Sequence, residues 1–174
     1  VALALVNLNG PGVTRTALES LDPTAPAARL RFDGAAAEKM TGGWDTVQQV
    51  LDRAAVLVAF NQIGGASACI EMATAYAKER HAFGRPIGSF QAIKHKAADM
   101  LVAVESARSA LYYAACIVDD GSDDLATNAS LAKAWCSEAY FKCAADNIQI
   151  HGGVGFTWEY DPHLHFKRAR ASES

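Results

Sequence analysis

RHAFGRPIGSFQAIKHKAADM, residues 80 to 100, sets Arg80 and Arg85 around a Gly-Arg-Pro-Ile-Gly turn, with Gln91, Lys94 and His95 as further donors on the helical pattern that follows. Arginine presents a planar fork that matches phosphate oxygens, and a glycine-bearing turn lets the backbone approach a ligand closely. The bland alternative is a solvated basic turn with Phe83 and Phe90 plugged into a core.

A second stretch, IQIHGGVGFTWEYD, spans residues 148 to 161. Gln149 ends a helical pattern, and Gly152, Gly153 and Gly155 could turn backbone amides toward a diphosphate without side-chain obstruction. The same residues could make a tight corner between two helices, and His151 raises the question of a metal. No second ligand has suitable spacing, because His163 and His165 belong to the following helical pattern.

Outward from these motifs the chain reads as helical. One helix is expected from just after Gly43 to about Arg80, with Val47, Leu51, Ala54, Val58 and Ile63 on its apolar stripe. Gly64 and Gly65 interrupt that stripe and predict either a kink or a close helix approach. A second helix runs from about Phe90 to Val118, inward at Ile93, Ala97, Met100, Val104, Leu111 and Ala115, and the DDGSDD loop ends it. A third runs from about Asp124 to Ile150, inward at Leu131, Ala134, Trp135, Phe141, Ala145 and Ile148, and a shorter fourth begins near Pro162. The expected fold is mainly α, an antiparallel four-helix bundle over residues 44–174. Residues 1–40 carry short apolar runs around a Gly-Pro-Gly turn and a proline-bearing loop, which predicts two or three strands. Such strands need an opposing layer, so they read as the remnant of a larger β domain.

Composition limits the function classes. With 174 residues, 51% apolar content and 20% charged residues, the chain can bury a core. Its net charge of -3 offers no general attraction to nucleic acid or an anionic membrane. No unbroken apolar run approaches the ~18 residues of a membrane span. Cys69, Cys116, Cys136 and Cys143 lie inside helical patterns without a C-x-x-C pair, predicting buried reduced thiols and a cytoplasmic setting. The first residue is Val1, so the biological start is expected upstream, where a targeting segment could lie.

Taken together, the two motifs resemble the acyl-CoA dehydrogenase family, in its C-terminal helical domain. R-x-x-F-G-x-P-I-G-x-F-Q-x-I-x-H-K-x-A-D-M stands as Arg80 to Met100, and Q-I-H-G-G-x-G-F-T-W-E as Gln149 to Glu159. LDPTAPAARLRFDG resembles the last strands of the family's middle β domain, and the wording of both motifs looks like bacterial members, including actinobacterial ones acting on bulky or sterol-derived thioesters. The resemblance implies FAD held across a subunit interface of a homo- or hetero-oligomer, a dimer or tetramer. Arg80 would meet the pyrophosphate, Phe83 would pack nearby, Gln91 would bond from the second helix, and Gln149, Gly152 and Gly153 would line the adenosine diphosphate half. No metal is implied.

It also implies α,β-dehydrogenation of an acyl-CoA in lipid β-oxidation, with an electron-transferring flavoprotein as partner and neither nucleic acid nor membrane. A carboxylate must then remove the α-proton. By resemblance, one position for that base falls about two residues beyond Ser174. Two alternatives on the first helix are Ala54 and Asn61, neither of which can serve. Glu71 and Asp99 read as structural partners, Glu159 and Asp161 as charges favourable near a helix start, and Glu173 as no candidate. Trp158 and Tyr160 fit an acyl pocket or a packed corner equally. Two other readings stand beside the enzyme: a subunit that completes a partner's FAD site without a base of its own, and a helical interaction module that has lost FAD. Residues 1–174 alone are expected to form a bundle, self-associate and hold little FAD.

Overall fold

The computed structural model describes residues 2–121 and 124–173, so Val1, Ser122 and Asp123 of the DDGSDD loop, and Ser174 lie outside the described residues. Four helices follow four strands: α1 Trp44–Glu79, α2 Gln91–Asp120, α3 Leu125–His151 and α4 Pro162–Ala171. Glycine and proline set most of these limits. Gly43 precedes α1, Gly121 ends α2 at φ 64°, Gly152 ends α3 at φ 64°, and Pro162 occupies the first turn of α4.

The relation between α1 and α3 organises the bundle. Gln62 hydrogen-bonds Ser137, Gly65 lies under Tyr140, and Tyr76 stacks on His151. Each pair is 75 residues apart (137 − 62, 140 − 65, 151 − 76), so the two helices run parallel in fixed register, with α2 antiparallel to both. Their contact face is made of small residues, Ala59, Ala66, Ala73 and Ala77 against Ala132, Ala139 and Ala144, all buried. Small side chains let the helix axes approach, and a single large ring fills the centre. A Cβ on Gly65 would lie 2.4 Å from Cζ of Tyr140, whereas a Cβ on Gly64 meets nothing within 4 Å. Of the two sequence-based alternatives, Gly65 serves the close approach, and α1 stays one continuous helix of 36 residues.

The apolar stripes need correction. On α1 only Ile63 of the five expected residues is buried, and on α3 only Ile148 of the six, while Leu51, Val58, Leu131 and Trp135 are exposed. The buried faces are instead rich in alanine and cysteine. On α2 the expected Met100, Val104 and Leu111 are buried. Burial pushes the Cys69 thiol up to about 12 and those of Cys136 and Cys143 up to about 11, which leaves them inert, but Cys116 is exposed, against the expectation of four buried thiols. Helices α1 and α2 also each contain an 18-residue window of mean hydropathy 1.3, long and apolar enough by length and composition to cross a membrane. Counting unbroken apolar runs missed this, because the windows average over interrupting polar residues, Glu105 and Arg108 on α2 among them. Here both helices bury a stripe against α3.

The first forty residues form four strands in two antiparallel pairs, one more strand than expected. β1 (Leu3–Val6) pairs β4 (Ala37–Met40), and β2 (Val13–Leu18) pairs β3 (Ala27–Phe32), Val13 facing Phe32 and Leu18 facing Ala27. Almost every strand residue is exposed, including Leu5, Leu30 and Phe32. A half-buried ion pair ties this segment to the bundle: buried Asp22, in the β2–β3 loop, accepts from Nε of Arg168 on α4 at 3.1 Å and from the Thr24 amide at 2.9 Å. Burial raises the Asp22 carboxyl pKa, but the bonds from Thr24 and Arg168 outweigh it and hold it below the usual range.

A second charged tie joins α2 to α3. The Asp146 carboxylate, 12% exposed, accepts from Lys96 of α2 and, at 2.9 Å, from Lys142 one turn earlier on α3. Burial alone would raise its pKa, and the two ammonium groups more than offset this, leaving it below the ordinary value. A depressed native pKa stabilises above the unfolded value and ceases to do so as pH falls through the native one.

Two predictions follow from this packing. Gly64→Ala stabilises the chain by about 0.5–1 kcal/mol through helix propensity, while Gly65→Ala destabilises it by about 1–2 kcal/mol because overpacking against Tyr140 exceeds the same gain; denaturant melts of the two variants compare them directly. Asp146→Asn costs about 1–2 kcal/mol at neutral pH, moderated because both lysines are partly solvated, and its gap to the parent in chemical denaturation stays constant above about pH 5 and closes below about pH 4.

Candidate functional site

Because α1 and α3 are parallel, the C-terminal ends of both and the N-terminal end of α2 meet at one end of the bundle. Arg80 caps α1 with extended backbone (ψ 123°), its amide bonding the Tyr76 carbonyl at 2.8 Å and its carbonyl receiving the Ile87 amide at 2.8 Å. Between these bonds lies a miniature hairpin, β5 (His81–Ala82) against β6 (Arg85–Pro86). Its two turn residues, Phe83 and Gly84, have φ of 53° and 77°. Left-handed backbone is free for glycine but costs a side-chain-bearing residue about 1–2 kcal/mol. That strain presents the Phe83 ring to solvent at 95% exposure, edge-on to Phe90. The reading that Phe83 plugs into the core is therefore wrong.

The next turn, a 3-10 helix at Ile87–Ser89, packs on α1 so tightly that a Cβ on Gly88 would lie 2.9 Å from the Ala77 carbonyl. Phe90 then caps α2 without a side-chain bond, leaving first-turn amides at the start of a 30-residue helix. Such an end carries partial positive charge and open donors. Gln91 is the first helical residue there and is exposed, as are Lys94 and His95. The Arg85 guanidinium lies 4.2 Å over the Phe90 ring.

On α3, Gln149 points outward while His151 is buried against Tyr76, ring centroids 4.2 Å apart, with Nδ1 2.8 Å from the Asn147 carbonyl. This is a packing histidine, and no group of three or more metal-ligating side chains exists among the described residues. The glycines after it divide by role. Gly152 needs its left-handed φ of 64°, and Gly155 leaves a Cβ only a tight fit, 3.0 Å from the Ile148 carbonyl and 3.1 Å from Cβ of His151. Gly153 has neither reason: it is exposed, has ordinary φ, and a Cβ there meets nothing within 4 Å. Nothing within this chain requires glycine at 153, which fits a surface kept open for something that approaches the backbone from outside. Among the described residues, the side chains of Arg80, Gln91 and Gln149 likewise have no hydrogen-bond or ion-pair partner.

The corner beyond holds Trp158, 76% exposed, edge-on to His163 and under the Lys167 ammonium at 4.6 Å, and Tyr160, edge-on to Tyr76 and His151. Ala54 and Asn61 are both exposed on α1, far along the helix from Arg80. Sequence reading missed Tyr76, which ties the two loops together through His151, and Gln62, buried with its amide bonded to Ser137 of α3 and to Ser172 just after α4. The one available signal for Gln62 was its place, with Asn61, inside an apolar run.

Comparison with known proteins agrees with this geometry. The family model for the acyl-CoA dehydrogenase C-terminal domain matches residues 41–174. Acyl-CoA dehydrogenase IpdE2 of Mycobacterium tuberculosis is 42% identical over 153 residues, covering 88% of this chain and 44% of that protein. Acyl-CoA dehydrogenase FadE34 of the same organism is 38% identical over 153 residues, covering 87% and 21%. Among solved structures, a variant of the Tcur3481-Tcur3483 steroid ACAD superposes with TM-score 0.89 at 32% identity, over 98% of this chain and 46% of that one. The ChsE4-ChsE5 complex of M. tuberculosis gives 0.88 at 30%, over 99% and 47%. The chain thus spans less than half the length of the curated relatives it matches. Its parallel α1–α3 pair, its Arg80 hairpin and its glycine corner are the C-terminal helical domain of the acyl-CoA dehydrogenase family, to which this chain belongs.

Proposed function

We propose that this chain is the C-terminal portion of an FAD-dependent acyl-CoA dehydrogenase that desaturates the α,β bond of an acyl-CoA thioester. In this reading residues 1–40 end the middle β domain and 44–174 form the helical domain. The observation that carries it is the end of the bundle where Arg80, Gln91 and Gln149 stand unpartnered beside an exposed glycine that no internal contact demands. Members of the family are FAD-dependent, and FAD, when bound, supplies the acceptor for the β-hydride.

This chain's residues bind and orient. The Arg80 fork neutralises pyrophosphate charge, and the open amides at the start of α2 add to it. The strained turn holds the Phe83 ring where it packs against the cofactor. Gln91 bonds from α2, and Gln149, Gly152 and Gly153 line the adenosine diphosphate half across a subunit interface. The large apolar residues left exposed on α1, α2 and α3 suit that interface and the remaining domains. By resemblance to the family, one position for the base falls just beyond Ser174, while the two positions on α1, Ala54 and Asn61, carry no carboxylate. A cytoplasmic location, a bulky or sterol-derived acyl group, an electron-transferring flavoprotein as acceptor, and no nucleic-acid or membrane partner complete the reading. Two of these are supported by proteins this chain resembles: a steroid ACAD and a caffeyl-CoA reductase-Etf complex subunit.

One observation favours a second reading. With no carboxylate at either α1 position, the chain could belong to a subunit that completes a partner's FAD site, and a two-protein ACAD complex is among its structural neighbours. Full-length protein made alone and together with a dehydrogenase-like partner distinguishes the two. Flavin bound by the protein alone and bleached by an acyl-CoA panel is the result expected of the self-sufficient enzyme. Flavin appearing only with the partner assigns the completing role, and no flavin in either preparation refutes both.

A further inference from the structure

Helix α4 is docked by contacts that differ in how they respond to protons. Apolar ones hold it at any pH: Ala169 is fully buried, and the Phe166 ring packs on Phe141 with centroids 5.3 Å apart. The charged tie is Arg168 to Asp22, whose carboxyl stays ionised until far below neutrality. The third tie is a hydrogen bond of 3.1 Å between the Tyr140 hydroxyl on α3 and Nδ1 of His165. Burial settles its direction. Tyr140 has no exposed surface, desolvation pushes its phenol pKa up, and among the described residues its O–H has no acceptor other than Nδ1. The hydroxyl therefore donates, Nδ1 carries no proton, and the ring is the neutral Nε2–H tautomer.

An open cavity of about 210 Å³, bordered by Thr24, Asp161, Leu164, His165 and Arg168, brings solvent to that ring. The charged and titratable groups facing it are few. On its own helix Arg168 opposes a positive ring, and Asp161, just before the helix, favours one. From the β2–β3 loop Asp22 acts through Arg168, and from α3 comes Tyr140. From α1 the Cys69 thiol faces Tyr140 and stays protonated. His163, two residues earlier, meets Trp158 instead. Burial first, and Arg168 second, hold the His165 pKa below the ordinary 6.5. With a depressed native pKa the unfolded chain binds the proton more readily, so the contribution of this group is complete above 6.5 and falls away as pH drops through the native value.

We propose that His165 is a proton-operated latch on α4: neutral, its Nδ1 accepts the Tyr140 hydroxyl and docks the helix, and protonated, it gives up that bond and loosens the helix. When a solvent proton binds Nδ1, the phenol O–H is left buried without an acceptor and a second cation stands beside Arg168. The β2–β3 loop, tied to Arg168 by Asp22, loosens with the helix. The helix loosens rather than detaches, because the Ala169 and Phe166 contacts remain.

The test follows amide hydrogen exchange of full-length protein between about pH 7.5 and about pH 5, a range that spans histidine titration. Rates are corrected for the intrinsic effect of pH and read in peptides from α4 (162–171), the β2–β3 loop (19–26) and, for reference, α3. In the parent, exchange of α4 and the loop rises several-fold relative to α3 as pH falls below 6.5. His165→Asn stays flat, since its side-chain oxygen takes the place of Nδ1 as acceptor and never becomes charged. A parent whose α4 is equally protected across the range overturns the latch. A His165→Asn protein that loosens as the parent does also overturns it, assigning the response to His163 or to a carboxylate. Should that variant not fold, Tyr140→Phe keeps the ring on Gly65 and removes only the hydroxyl. Exchange of α4 is then raised already at about pH 7.5, with a smaller rise on acidification, and parent-like protection at that pH overturns the role of the bond.

Discussion

Tyr140 stands on Gly65 with no exposed surface, and a single Cβ at residue 65 would meet the ring at 2.4 Å. The alanines on either side let α1 and α3 close around that contact, and the ring sets their register. Everything at the functional end depends on it. With the helices parallel and in register, Tyr76 falls on His151, and the residues after each helix emerge side by side. A slip of one turn, ~5.4 Å, would separate Arg80 from the glycine corner by more than a hydrogen bond can span. The Tyr140 hydroxyl also reaches Nδ1 of His165 at 3.1 Å, extending the same constraint to α4.

Element limits were legible in the sequence because glycine and proline punctuate them. Each of the three long helices begins and ends within two residues of the expected position. The inward faces were much less legible. Scanning for large apolar residues selected Leu131 and Trp135 on α3 and Leu51 and Val58 on α1, all exposed here, and passed over the alanines, glycine and cysteines that line the real contact. In a bundle whose helices touch closely, the small face is the internal one, and the large apolar face is left for surfaces outside the chain. Gln62 shows the same limit at the scale of one residue. Its polarity argued for the surface, but its partners lie 75 and 110 residues away, beyond any local pattern.

The candidate site was legible to the extent that its residue types have few other uses together. Among the described residues, Arg80, Gln91 and Gln149 each lack a side-chain partner and Gly153 lacks an internal reason for its identity, and these four lie at one end of the bundle. What the sequence could not reveal was the strain at Phe83, a ring held out at φ 53° by a hairpin of two-residue strands, or the division of labour among the glycines. Gly88 and Gly155 serve packing, Gly84 and Gly152 serve backbone conformation, and Gly153 alone among these serves neither.

Gly153 is for that reason the most direct probe of the claim that this end of the bundle cradles FAD. The measurement is flavin per subunit in the full-length assembly carrying Gly153→Val, beside a denaturant melt of the same variant. The account predicts stability within about 0.5 kcal/mol of the parent, as for a substitution touching no other residue, and flavin content reduced several-fold after gel filtration. A variant that melts like the parent and keeps its full complement of flavin would contradict it.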